Sequence, residues 1–182
     1  MLKIFSRLML FLLIGIVVCM PACSRGPKKP AGMPKLCPTE VTVNSKSGPV
    51  ADAIVSLVPA DGSRAQWGSG ARTNAQGVAR IKTHGQFDGV PEGKYKILIT
   101  KTVTEGAAPP PMGTDEESQR VYDEYMKSGS KQKFIKVIDA AFASAKTTKL
   151  TMDVSNQKLN ATAVDVGEQV KEEMKSSSVT AN

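Results

Sequence analysis

The chain has 182 residues, of which 41% are hydrophobic, 23% charged and 5% aromatic, with a formal net charge of +7. That balance excludes an intrinsically disordered chain and suffices for one self-sufficient core, with the remainder in processed or polar ends. It leaves few rings for a broad binding platform, and no basic face interleaved with aromatics appears, so nucleic acid is not an expected partner.

The amino end, 1–22, reads as an export signal. Lys3 and Arg7 frame the start of an apolar or glycine run from Leu8 to Met20. The run is too short for a comfortable membrane span and suits the hydrophobic region of a signal peptide. It closes on Met20-Pro21-Ala22-Cys23-Ser24. A small residue before a cysteine, followed by a flexible polar stretch, resembles a bacterial lipobox, with Met20 and Pro21 standing where the usual box has Leu and a small residue. Lipid attachment at Cys23 is the expectation, with secretion after Ala22 or a retained anchor as alternatives. All three place the domain outside the cytoplasm. Residues 23–34 form a Gly/Pro/Lys-rich linker, and Arg25, Lys28, Lys29 and Lys35 are placed to meet anionic headgroups. Of the three cysteines, Cys19 would leave with the signal and Cys23 would be lipidated, so Cys37 is read as a small buried residue without a disulfide partner.

From Thr39 the apolar period becomes two. Val41 and Val43 predict a strand, Asn44 to Pro49 a hairpin loop, and Ala53, Val55 and Leu57 a second strand ending at Pro59. Trp67 to Thr73 predicts a glycine-interrupted strand at a sheet edge. Thr73-Asn74-Ala75-Gln76-Gly77 then reads as a turn feeding a strand with Ala79 and Ile81 on one face. Gly89-Val90-Pro91-Glu92-Gly93-Lys94-Tyr95 reads as another turn, feeding a strand in which Tyr95, Ile97 and Ile99 alternate with polar neighbours.

The proline-rich stretch from Gly106 to Gly113 breaks this pattern. Thr114 and Glu117 predict a capping box for a short amphipathic helix with Val121, Tyr122, Tyr125 and Met126 on one face, ending near Gly129. Phe134, Ile138 and Phe142 fit either a second helical turn or loop residues pinned to the sheets. Leu150, Met152 and Val154 resume a strand, Ser155-Asn156-Gln157 turns it, and Thr162, Val164 and Val166 close the domain before a polar tail over 168–182.

The order T-N-x-x-G then strand, G-V-P-x-G-K-Y then strand, resembles the carboxypeptidase regulatory-like, or transthyretin-like, β-sandwich family. The T-T-x-L-T-x-x-V of Thr147 to Val154 and the N-x-x-x-x-D-V of Asn160 to Val166 are similar to small planctomycete-type lipoproteins of that kind. The resemblance covers roughly 35–167. It implies an all-β fold, an antiparallel β-sandwich of about seven strands, here with a short helical insertion, and a place in the cell envelope.

The resemblance does not imply peptidase chemistry. Zinc carboxypeptidases need two histidines and a glutamate on the metal, and this chain has His84 alone. His84, Asp88 and Glu92 recur every four residues, but Gly85, Gly89 and Pro91 argue against a helix, so they read as a solvated loop without a metal. Ser128 and Lys131 spell S-x-x-K without the separate second wall that acyl-transfer sites require. No cofactor is expected. Trp67, Phe87, Tyr122 and Tyr125 are the candidate ligand-binding rings, weighed against simple burial over a sheet edge.

The reading is therefore a non-catalytic cell-envelope lipoprotein, attached to the membrane through an N-terminal lipid and presenting a structural or protein-interaction module. The alternatives are a carbohydrate-binding module for an envelope polysaccharide, or an accessory domain of an envelope enzyme. An exposed apolar face at Val121 to Met126 would favour a protein partner, exposed Trp67 and Phe87 a sugar, and a pocket joining His84 to buried carboxylates catalysis.

Overall fold

The computed structural model describes residues 27–62, 66–128 and 132–174. The first strands are β1 (Leu36–Cys37), β2 (Thr39–Ser45), β3 (Gly48–Pro49), β4 (Ile54–Pro59) and β5 (Ser69–Arg72). They are followed by β6 (Val78–Arg80), β7 (Lys82–Thr83), β8 (Phe87–Asp88), β9 (Val90–Pro91), β10 (Gly93–Thr100) and β11 (Thr102–Glu105). The one α-helix among the described residues, α1 (Glu116–Lys127), precedes β12 (Lys133–Lys136), β13 (Thr151–Val154), β14 (Asn160–Asp165) and β15 (Glu172–Glu173).

The fold is all-β. One sheet runs β13-β10-β4-β5-β7-β8, a second β14-β2-β3 with β6 also on β2, a third, smaller one β11-β12-β15, and β1 pairs with β9 in a two-stranded fourth. The period-two pattern dictates the packing, because alternate side chains leave a strand on opposite faces. Val41 and Val43 of β2, Val55 and Leu57 of β4, Tyr95, Ile97 and Ile99 of β10, Met152 and Val154 of β13, and Val164 and Val166 in and after β14 form one buried cluster. Val41, Val43, Val55, Ile97 and Ile99 are completely shielded from solvent. Among the described residues all the strand pairs are antiparallel but one, β14 running parallel to β2 with Asn160 opposite Thr39 and Asp165 opposite Asn44.

The short motifs are the joints of this assembly. At Thr73 the hydroxyl donates to the Val50 carbonyl (2.7 Å) and accepts from the Ala53 N–H (2.8 Å). Asn74 Oδ1 then caps the turn by accepting from Gln76 N (3.0 Å) and Val78 N (2.9 Å). Gly77 adopts φ +73°, and a Cβ there would lie 2.5 Å from the Val43 carbonyl oxygen, so only glycine lets this turn close on β2. In the second motif, Tyr95 donates its hydroxyl proton to the Pro91 carbonyl (2.8 Å), giving a buried ring its polar partner.

The later motifs do similar work. The Thr148 hydroxyl donates to the Ile97 carbonyl (3.0 Å), tying the approach to β13 onto β10. Asn160, buried at the start of β14, donates from Nδ2 to the Pro38 and Ser155 carbonyls (3.2 and 3.0 Å). Its Oδ1 accepts from Ser155 N (3.0 Å), so both polar atoms of the buried amide have partners. At the other end of the strand Asp165 Oδ1 accepts from Gly167 N (2.8 Å).

Three local expectations are corrected. The glycine-interrupted strand β5 lies inside its sheet, between β4 and β7, and not at an edge. Its Gly70 carries no side chain where a Cβ would sit 2.7 Å from the Val55 carbonyl, so the glycine marks close backbone approach. The helix is capped one residue later than a Thr114 box requires: Asp115 accepts from Ser118 N at 2.8 Å. Acidic Asp115 both caps the free N–H groups and suits the positive helix end, which outweighs the Thr114–Glu117 spacing. Finally, Phe134 is on β12, half exposed, while Ile138 is buried and Phe142 packs on the core from a 3-10 turn, Ala140–Phe142. The pinned-loop alternative therefore holds for Ile138 and Phe142, and Phe134 belongs to a strand.

Candidate functional site

None of the described residues of the insertion between β11 and β12 is buried. These two strands pair along their length, from Thr102 opposite Lys136 to Glu105 opposite Lys133. The pairing brings the ends of the intervening segment together, so the proline-rich stretch and α1 project as one unit. Asp115 starts the helix, with its Oδ2 also accepting from the Ser118 hydroxyl (2.7 Å). These bonds hold the Asp115 carboxyl below its ordinary range. At the far end Ser128 N donates to the Glu124 carbonyl (2.9 Å).

No residue of α1 is buried. Val121 is 44% and Met126 55% exposed, and Met112 beside them 73%. Tyr122 and Tyr125 are half-buried, and Tyr125 donates its hydroxyl proton to the Ala107 carbonyl (2.9 Å), which folds the proline-rich stretch against the helix. Met112, Gly113, Thr114, Gln119, Tyr122 and Asp123 line an open hollow of about 750 Å³ between stretch and helix. The helix is acidic, with Glu116, Glu117, Asp123 and Glu124 against Arg120 and Lys127. An amphipathic helix ordinarily turns its apolar side to a core. Here Val121 and Met126 on that side are left to solvent.

The other candidate rings lie at the β7–β8 turn. Trp67 is half-buried, with its ring centroid 5.4 Å from that of His84 and the planes inclined by 31°. His84 is exposed, with φ +52°, a left-handed conformation, and its Nε2 is 2.9 Å from the Gln66 carbonyl oxygen. The imidazole therefore covers part of the Trp67 ring. Phe87 is 8% exposed and belongs to the interior. The four rings are thus not one site: Trp67 lies beside His84, Phe87 is interior, and Tyr122 and Tyr125 are on α1.

The remaining candidates are used structurally or held apart. Asp88 pairs with Lys82 at 3.2 Å, and Glu92 Oε1 lies 4.0 Å from the Cys37 sulfur. Among the described residues no three His, Cys, Asp or Glu side chains gather as metal ligands, and no carboxylate is buried. Cys37 is buried and without a disulfide. Burial pushes its thiol pKa up, Glu92 adds to the rise and Lys35 opposes it, which makes the thiolate scarce. The Ser128 hydroxyl donates to the Tyr125 carbonyl (2.8 Å), closing the helix. Cys23 and Lys131 lie outside the described residues.

One surface feature escapes the sequence pattern. Arg72, Arg80 and Lys82 line a shallow hollow with Gly70, Asn74 and Gly85. Only outward alternation on separate strands gathers them, a signal readable from positions 80 and 82 but not 72. Arg80 meets Glu40 (2.9 Å) and Lys82 meets Asp88, so these cations already have carboxylate neighbours. No family model, curated protein or solved structure matches this chain.

Proposed function

We propose that the chain is an exported, lipid-anchored cell-envelope protein whose β-sandwich, of the carboxypeptidase regulatory-like kind, carries a non-catalytic protein-interaction module. The observation that supports it most directly is α1, a helix with no buried residue and with Val121 and Met126 presented to solvent. An apolar helix face set in an acidic surround fits a protein groove with a basic rim, the apolar side chains supplying affinity and the charges orientation. The carbohydrate alternative has less support, because Phe87 is buried and His84 covers part of Trp67. Enzymatic readings have less still, since among the described residues no buried carboxylate accompanies His84.

Two measurements test the parts of this reading. Metabolic labelling with a fatty-acid analogue is expected to mark the wild type and not Cys23→Ala; equal labelling of both ends the anchor assignment. Photo-crosslinking from position 121 or 126 in intact envelopes is expected to give one discrete protein adduct, lost in Val121→Asp with the domain still folded. A saturable change in Trp67 fluorescence with an envelope polysaccharide, abolished by Trp67→Ala, would replace the protein partner with a sugar.

A further inference from the structure

Outward alternation sets three cations around the hollow on β5, β6 and β7. Ser69 and Ala71 of β5 turn inward, so Gly70 and Arg72 turn outward. Ala79 of β6 and Thr83 of β7 are buried, which turns Val78, Arg80 and Lys82 outward in the same way. Lys82 stands opposite Gly70 in the ladder, diagonal to Arg72 on one face. β6 belongs to the sheet of β2 while β5 and β7 belong to the other, so the three side chains meet where two sheets part. The space is about 550 Å³, within the range of small-molecule sites. Gly70 and Gly85 put no side chain into it, and among the described residues no acidic one lines it. Nor are the donors spent. Arg80 gives Glu40 its Nε (2.9 Å), and its Nη groups make no hydrogen bond among the described residues. Arg72 Nη1 is 4.0 Å from Asp52, beyond hydrogen-bond distance, and Lys82 meets the largely exposed Asp88 at 3.2 Å. Exposed pairs of this kind are weak. Asn74, also in the lining, has its Oδ1 taken by Gln76 N and Val78 N, which keeps its Nδ2 as a further donor.

We propose that this hollow binds a multiply charged phosphate ligand, two or more phosphate groups held together, in competition with Asp52, Glu40 and Asp88. Two guanidinium forks and an ammonium exceed what one singly charged anion can neutralise, and guanidinium pairs with phosphate bidentately. The cations come from three strands and so approach from different sides. A phosphate group, with oxygens on several sides, can answer all of them, whereas a planar carboxylate accepts only in its own plane. The site goes beyond the α1 reading and is independent of it, since the two hollows share no residue.

Equilibrium dialysis of radiolabelled pyrophosphate against the full chain in nonionic detergent, at fixed ionic strength, tests the site. Saturable binding is expected. Arg72→Gln and Lys82→Gln are each expected to weaken it roughly tenfold with the melting transition retained, as the loss of one charged hydrogen-bond partner implies. Asp88→Asn, which releases Lys82, is expected to strengthen it. Lys46→Gln removes a cation paired elsewhere, with Glu168, and is expected to leave it unchanged. Cardiolipin added to the micelles separates the sources of the phosphate: displacement of pyrophosphate beyond that caused by an equal charge of laurate assigns a lipid headgroup, and no such excess assigns a soluble compound. Absence of saturable binding overturns the inference. So does citrate binding as tightly as pyrophosphate, or Lys46→Gln weakening binding as much as Arg72→Gln.

Discussion

The sandwich and the insertion it carries are built from the same alphabet to opposite ends. In β2, β4 and β10 every second side chain is withdrawn from water, and several are fully shielded. In α1 the apolar residues recur at helical spacing, yet none is buried. Burial of apolar area is the main favourable term in folding, so stability resides in the sheets while the helix depends on its caps and on the Tyr125–Ala107 bond. Exposed apolar residues that add little to the fold are what the proposed interaction module rests on.

The comparison breaks first in the core. Ile97→Ala leaves a cavity among completely shielded neighbours, and urea unfolding is expected to show a loss of about 2–5 kcal/mol. An effect as small as that of an exposed substitution would mean that the sandwich is not where stability lies. Next comes the joint between sheets. Gly77 and Gly48 both have positive φ, +73° and +111°, but a Cβ at Gly77 meets the Val43 carbonyl oxygen at 2.5 Å whereas one at Gly48 meets nothing within 4 Å. Both alanine variants incur backbone strain of roughly 1–3 kcal/mol. Gly77→Ala is expected to lose more than Gly48→Ala in thermal melting, and equal losses would show that close approach to β2 is immaterial.

The smallest effect belongs to α1. Because hydrogen bonds from Ser118 lower the Asp115 pKa, the folded helix favours the carboxylate. Its contribution is present above the ordinary carboxyl pKa and is lost as pH falls through the depressed value. The protection of the α1 amides, taken relative to the unfolded chain at the same pH, is expected to fall over that acidic window, and in Asp115→Ala at neutral pH, while the amides of β10 stay protected. Simultaneous loosening of β10 would mean that helix and sandwich fold as one unit.

What the residues disclosed in advance follows the same division. Alternation in Tyr95, Ile97 and Ile99 reveals β10 because each strand residue has only two faces to choose between. The burial of Cys37 is legible from its lack of a partner. The interior position of β5 was hidden because Gly70 is neutral between edge and close approach; only the position of Val55 decides it. The cap at Asp115 was hidden by a competing box one residue earlier. Phe87 was legible as an aromatic but not as a buried one, since its environment is assembled by β7 and the turn rather than by its own neighbours. Nor does local pattern reveal that β14 lies beside β2, because the pairing joins residues more than a hundred positions apart.

That pairing also sets the order of events during synthesis. The second sheet joins Thr39 to Asn160 and Asn44 to Asp165, with the other sheet's strands threaded between them in sequence. A growing chain that has not yet reached Asn160 leaves β2 without its parallel neighbour and lacks Val164 and Val166, which complete the core. Loop closure over such a distance comes late and slowly. The sandwich can therefore be finished only once the chain has emerged past Val166, so that its two sheets close late in synthesis rather than strand by strand.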